Sequence, residues 1–240
     1  MPDLRRRRSV TQSHLDDVLS ALLAAWAVDH PGREVVDLGG GTGGMAMELG
    51  ANGYRVRVVD PSPDALAALE RRTAEEGLAG RVTAIQGDAT ELVDVVGAAS
   101  ADLVICHKVL EVVEDPDQAL AAVAGVLRSG GALSLLVAQR HAAVLTQALA
   151  GHIAQARRSW NDPDRFDRAR ILALVESAGF EVRAIHGIGS VSRTPSATCP
   201  ATVPIPCVAR TSKPADVTRA RIRARSKRSE SFQKRRACAT

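Results

Sequence analysis

Aromatic residues make up only 2% of this 240-residue chain, so any core it builds must come from alanine, valine and leucine rather than from rings. Four cysteines (Cys106, Cys199, Cys207 and Cys238) form no C-x-x-C pair and no His/Cys cluster. That spacing excludes a zinc ribbon and a disulfide framework, and no metal site is expected. Cys106 falls inside an apolar run and reads as a buried free thiol. No apolar run reaches the roughly 18 residues needed to cross a bilayer. Four arginines, Arg5 to Arg8, precede an apolar stretch over 18–28 and give the outline of a secretory leader. Asp16 and Asp17 interrupt it, and cleavage near Ala27 would expose the next strand almost at once. Leu15, Val18, Leu19, Leu22, Leu23 and Trp26 instead follow the i, i+3, i+4, i+7 spacing of a core-facing helix over 11–28. A cytoplasmic chain is the expectation.

Charge is unevenly distributed. Residues 1–189 carry 19 Lys/Arg against 25 Asp/Glu, whereas residues 190–240 carry 12 against 2. The sequence pI of about 9.2 therefore belongs to the C-terminal segment and not to the rest of the chain.

Val35-Val36-Asp37-Leu38 is a short apolar run ending in an acid, followed at once by Gly39-Gly40-Gly41-Thr42-Gly43-Gly44. The run reads as a buried parallel strand, and the glycines as a tight turn into a helix. Glycine lets a ligand approach bare backbone, and the free amides of the next helix face whatever fills the turn. Gly39-x-Gly41-x-x-Gly44 also satisfies a dinucleotide fingerprint, with Asp60 at a suitable distance for a ribose hydroxyl. NAD and a purely structural turn thus remain alternatives to the reading developed below.

Strands are expected at 54–60, 82–86, 102–107, 132–138 and 180–188, with helices at 45–50, 117–127, 141–158 and 166–178. Ser62 and Pro63 supply the N-cap and first position of a further helix, with Leu66, Leu69 and Ala74 on its inner face. Strand alternating with helix predicts an α/β fold, a Rossmann-like parallel sheet with helices on both faces. Asp37, Asp60, Asp88 and His107 each fall at the C-terminal end of a different strand. Ligands bind at that edge of open α/β sheets.

Asp37-x-Gly39-x-Gly41-x-Gly43 resembles the D-x-G-x-G-x-G motif of Rossmann-like methyltransferases that use S-adenosylmethionine (SAM). The segment 101–116, with His107-x-Val109-Leu110-Glu111-x-Val113-x-Asp115-Pro116, resembles bacterial tRNA 5-carboxymethoxyuridine methyltransferases, and the likeness extends over about 7–188. That resemblance implies SAM as cofactor and tRNA as methyl acceptor. It implies backbone contacts from Gly39, Gly40 and Gly41, and a cationic group of the cofactor against Asp37. Asp60 would take the ribose hydroxyls, Asp88 and Ala89 would border the adenine, His107 would line the cleft, and Arg7 would reach the cofactor from the leading segment. A carboxylate acceptor is already ionised near neutral pH and needs no general base. Arg140, Arg157 and Arg158 are candidates to seat it, and no catalytic residue is singled out.

Residues 1–189 thus read as a methyltransferase domain and 190–240 as a disordered, low-complexity basic tail. The family's closing antiparallel strand is in doubt, since the only apolar stretch there, 203–208, carries two prolines that argue against an interior strand. An out-of-frame reading of a GC-rich gene produces such text. A nucleic-acid arm is the lesser reading, because aromatic residues do not alternate with the basic ones. A small-molecule methyltransferase, a SAM-binding chain impaired in turnover, and an RNA-binding module over 210–236 are the functional alternatives.

Overall fold

The computed structural model describes Ser20 and residues 33–162, 165–185 and 205–211. Arg7 and all but one residue of the expected leading helix lie outside them. Ser20 is helical, and its hydroxyl donates to Glu48 Oε1 at 2.8 Å.

Val, Ile and Leu runs too short for helices form five parallel strands: β1 (Glu34–Leu38), β2 (Arg55–Asp60), β3 (Val82–Gln86), β4 (Ala101–His107) and β5 (Leu127–Val137). A sixth strand, β6 (Phe180–Ile185), and a seventh, β7 (Ile205–Thr211), complete the sheet in the order β3-β2-β1-β4-β5-β7-β6. Chain order reverses between β1 and β4, which are paired in register from Val35↔Leu103 to Leu38↔Cys106. The loops leaving these two strands therefore flank the switch point.

Seven α-helices are described: α1 (Gly44–Ala51), α2 (Pro63–Glu75), α3 (Leu92–Val96), α4 (Pro116–Val126), α5 (Arg140–Leu149), α6 (Ile153–Asn161) and α7 (Arg168–Ser177). Two apolar clusters cover the sheet. One joins Val36, Val104, Leu133 and Leu135 with Leu120, Val123 and Val175, and the other joins Val35, Val58 and Ile105 with Leu49, Leu66 and Leu69. Aliphatic side chains dominate both clusters. The buried rings among the described residues are Phe166, Phe180 and Tyr54.

Local chemistry sets the helix starts. Ser62 Oγ accepts from the Ala65 amide at 3.3 Å with Pro63 at the first position of α2, as expected. Asp115 and Asp167 cap α4 and α7 in the same way, at 3.0 and 2.8 Å. On α2 the buried set is Leu66, Leu69 and Thr73, not Ala74, because the inward stripe advances by three and then four residues.

Three further expectations are corrected. The helix expected over 141–158 is two helices, broken where Gly151 takes φ +78°, a conformation that ends one helix and re-aims the chain. The strand expected over 132–138 begins earlier, at Leu127, so that Arg128 to Gly131 belong to β5, beside an irregularity in the β4–β5 register between Ala101 and Leu103. The segment expected to be disordered contributes β7, antiparallel to both β5 and β6. β7 lies between β5 and β6, with Pro206 opposite Leu136 of β5, so this proline-bearing stretch does enter the interior of the sheet. The rest of 190–240 lies outside the described residues.

Candidate functional site

β1 delivers Asp37 to the switch point, where the carboxylate is 5% exposed. Removal from water, and then the charge of Asp60, push its pKa up to about 7. The chain turns immediately afterwards. Gly39, Gly41 and Gly43 all have positive φ, a region that side-chain-bearing residues enter only with strain. Gly40 has ordinary φ but no room. A Cβ there would lie 2.5 Å from Asp37 Oδ2 and 2.9 Å from Val58, so bare backbone faces the buried acid.

β2 delivers Asp60. Its Oδ2 accepts from the Gly41 amide at 2.9 Å and its Oδ1 from the Ser62 amide at 2.9 Å. Each carboxylate oxygen has a second acceptor position, which two vicinal hydroxyls of a ribose can use. Asp60 therefore braces the turn and also starts the segment that leads into α2.

β3 ends at Gln86, and Gly87 then leads to Asp88, which accepts from the amide and the hydroxyl of Thr90, both at 2.9 Å. Asp88 is exposed, whereas Ala89 is buried. β4 ends on His107, whose Nε2 lies 2.9 Å from Ser134 Oγ on β5. Desolvation, and then the adjacent Lys108 ammonium, lower its pKa to about 4, so the ring is neutral at pH 7. Cys106, one residue earlier, is fully buried and free, its thiol pushed up to about 12 by burial and then by the nearby Glu111 and Asp37.

Asp37, Asp60, Asp88 and His107 thus all stand at or just past the ends of adjacent parallel strands. Val109, two residues past β4, packs against the turn, since a Cβ on Gly39 would meet its Cγ2 at 2.6 Å. A bare turn, a buried acid for a cation, paired acceptors for hydroxyls and a flat buried alanine fit a nucleoside carrying a positively charged amino-acid arm. Among the described residues, no group of three His, Cys, Asp or Glu side chains is placed to hold a metal ion.

The three arginines nominated for substrate seating divide. Arg140 is committed to structure, its Nη2 donating to the carbonyl oxygens of Arg165 (3.0 Å) and Asp162 (3.3 Å). Arg157 and Arg158 line a cleft of about 550 Å³ with Asp162 and Arg165. A neighbouring cleft of about 390 Å³ shares Asp162 and Arg165 and is closed by Lys108, Glu111 and Ala138. Reasoning from sequence passed over Lys108 and Glu111 as site residues. A signal was present in Glu111, a lone acid in an apolar segment, whose Oε1 accepts from the Ala138 amide and whose Oε2 is buried without a partner.

A methyltransferase-domain profile matches residues 36–135, the region from β1 to β5. The ubiquinone biosynthesis O-methyltransferase of Cupriavidus pinatubonensis is 30% identical over 174 residues, covering 68% of this chain and 69% of the relative. The chain belongs to the SAM-dependent methyltransferase family. It also resembles the tRNA 5-carboxymethoxyuridine methyltransferase of Escherichia coli strain K12, at 26% identity over 162 residues. That match covers 64% of this chain and 62% of the relative's own length. Among solved methyltransferases, the magnesium protoporphyrin IX enzyme of Synechocystis PCC 6803, with bound S-adenosylhomocysteine (SAH), shares the fold at TM-score 0.64. It is 18% identical, over 88% of this chain and 90% of that one. The cofactor of the methyltransferase family is SAM. None of the described helices is long and apolar enough to cross a membrane.

Proposed function

We propose that this chain transfers a methyl group from SAM to an oxygen of an acceptor, and that the acceptor is the carboxylate of 5-carboxymethoxyuridine in tRNA. The observation that carries the first part is the pairing of buried Asp37 with a glycine turn that cannot accept a side chain. In this reading Asp37 faces the cofactor's ammonium, and the backbone of Gly39, Gly40 and Gly41 borders its methionine part. Asp60 holds the ribose, Asp88 and Ala89 flank the adenine, and Arg7 reaches in from the leading segment. His107, neutral and fixed by Ser134, gives the cleft a polar wall that does not repel a sulfonium.

SAM supplies an electrophilic methyl group, so the protein's part is to position the acceptor and exclude water. A carboxylate acceptor requires no proton removal. Holding it in line lowers the barrier by up to roughly 7–11 kcal/mol through proximity. The likeness to the Escherichia coli relative supports the tRNA acceptor, as do the arginines along the outer cleft. A small-molecule hydroxyl acceptor is the second reading, favoured by the higher identity to the ubiquinone relative.

Calorimetry with SAM, SAH and NAD tests the cofactor: SAM and SAH should bind and NAD should not. Transfer of labelled methyl groups to tRNA containing unmethylated 5-carboxymethoxyuridine tests the acceptor. Cofactor binding without transfer to that tRNA would move the acceptor assignment to small molecules.

A further inference from the structure

Among the described residues, two other than glycine take positive φ: Ala99 and Lys108. Lys108, at φ 61°, immediately follows His107 at the end of β4, and its amide donates to the Leu136 carbonyl at 2.8 Å. A lysine held in that conformation at a strand end marks a place where the fold accepts strain to aim a side chain. Lys108 lines the 390 Å³ cleft.

The other charges around that cleft are mostly accounted for. Arg165 Nε pairs with Asp162 at 3.1 Å, and Arg140 is spent on carbonyl oxygens. Glu111 accepts from the Ala138 amide through Oε1. Lys108 makes no ion pair with a described residue, and neither do Arg157 and Arg158 in the adjoining cleft. Taken together as one groove, the two clefts, which share Asp162 and Arg165, have Lys108, Arg157, Arg158, Arg165, Glu111 and Asp162 as their charged lining. Lys108 stands at the same sheet edge as the glycine turn, since it follows the end of β4 and the next residue, Val109, packs on Gly39.

We propose that this groove selects a negatively charged acceptor and that Lys108 is the residue that seats the charge beside the methyl donor. The proposal rests on the methyltransferase reading and names the acceptor class for that site. The shared chemistry is an anionic oxygen, carried either by a carboxylate or by an RNA phosphate. A lysine is suited to this as a compact charge with three donors, able to hold an anion without dictating its shape.

The test loads the full chain with SAH and titrates three probes: phenoxyacetate, its neutral analogue phenoxyacetamide, and an anticodon stem-loop RNA. At least one anionic probe should bind and the amide should not. Lys108→Asn, which removes the charge but tolerates the left-handed conformation, should weaken that binding about tenfold, and Lys108→Arg should restore most of it. SAH affinity should be the same in all three chains. Tighter binding of the RNA, with steep salt dependence that falls in an Arg157→Gln/Arg158→Gln double variant, assigns the anion to phosphate. Tighter binding of phenoxyacetate assigns it to a carboxylate. The proposal is overturned if neither anion binds, if the amide binds as well as the acid, or if Lys108→Asn binds like the parent. Should Lys108→Asn fail to melt cooperatively, Lys108→Gly, which takes the left-handed conformation without strain, replaces it, and parent-like anion binding by that variant overturns the proposal. Failure of the parent chain to take up SAH would sink the methyltransferase reading itself, and this proposal with it.

Discussion

The Gly41 amide donates to Asp60 Oδ2 at 2.9 Å, so the glycine turn after β1 is held by the acid that ends β2. One side chain thereby braces the glycine turn and, in the proposed reading, also meets the ribose. Asp60→Ala should therefore fail twice. Two backbone donors lose their acceptor, which costs on the order of 1–3 kcal/mol. SAM affinity should fall at least tenfold. Thermal melting and calorimetry read the two effects separately, and full cofactor affinity in a destabilised chain would leave Asp60 with the bracing role alone.

Gly40 and Gly44 make a matched pair. Alanine at 40 would put a Cβ 2.5 Å from Asp37 Oδ2, whereas alanine at 44 would meet nothing within 4 Å. Gly40→Ala should destabilise by about 1–3 kcal/mol and abolish measurable SAM binding. Gly44→Ala, at the first position of α1, should be neutral or stabilising by up to about 1 kcal/mol. Similar melting temperatures for the two variants would refute the steric argument.

Asp37 and His107 give pH dependences of opposite sign. Asp37, raised from 3.8 to about 7, binds more protons folded than unfolded, so its contribution to stability falls as pH rises across that window. His107, lowered from 6.5 to about 4, binds more protons unfolded, so its contribution rises between those values. Each slope approaches about 1.4 kcal/mol per pH unit, and the two oppose each other from pH 4 to 6.5. Asp37→Asn should accordingly steepen the rise of stability with pH in that range. In the parent chain a cationic cofactor prefers ionised Asp37, so SAM affinity should increase with pH up to about 7. Calorimetry below pH 7 in buffers of different ionisation enthalpy should show proton release on binding.

β7 pairs with both β5 and β6. Ending the chain after Gly189 should therefore lower the melting temperature and expose the β5 edge to intermolecular pairing, whereas ending it after Thr211 should not. Light scattering and thermal melting compare the two. Equal behaviour would mean that β7 contributes nothing to the stability of the sheet.

Much of the fold was legible because its signals are local. The apolar run into Asp37, the glycines after it and the Ser62–Pro63 start of α2 depend on a few neighbouring residues, and all appear where the spacing predicts. The strand-end acids were readable for a related reason: in a parallel sheet every strand points the same way, so chain order alone gathers their ends at one edge. Other features depend on residues far apart in the chain. Gly151 is one glycine in a helical pattern, and only the packed structure shows that it breaks the helix. Arg140 and Lys108 are both cations beyond a strand. Tertiary contacts spend the first on the carbonyls of residues 162 and 165 and leave the second facing a groove. Pro206 argued against an interior strand, and only the pairing of β7 with β5 and β6 shows one there. Sequence by itself determined which strand ends share an edge, because backbone geometry and strand direction suffice for that. Tertiary structure decided which cations are left to line the outer clefts, because which charge remains unpaired is a property of the whole packed molecule.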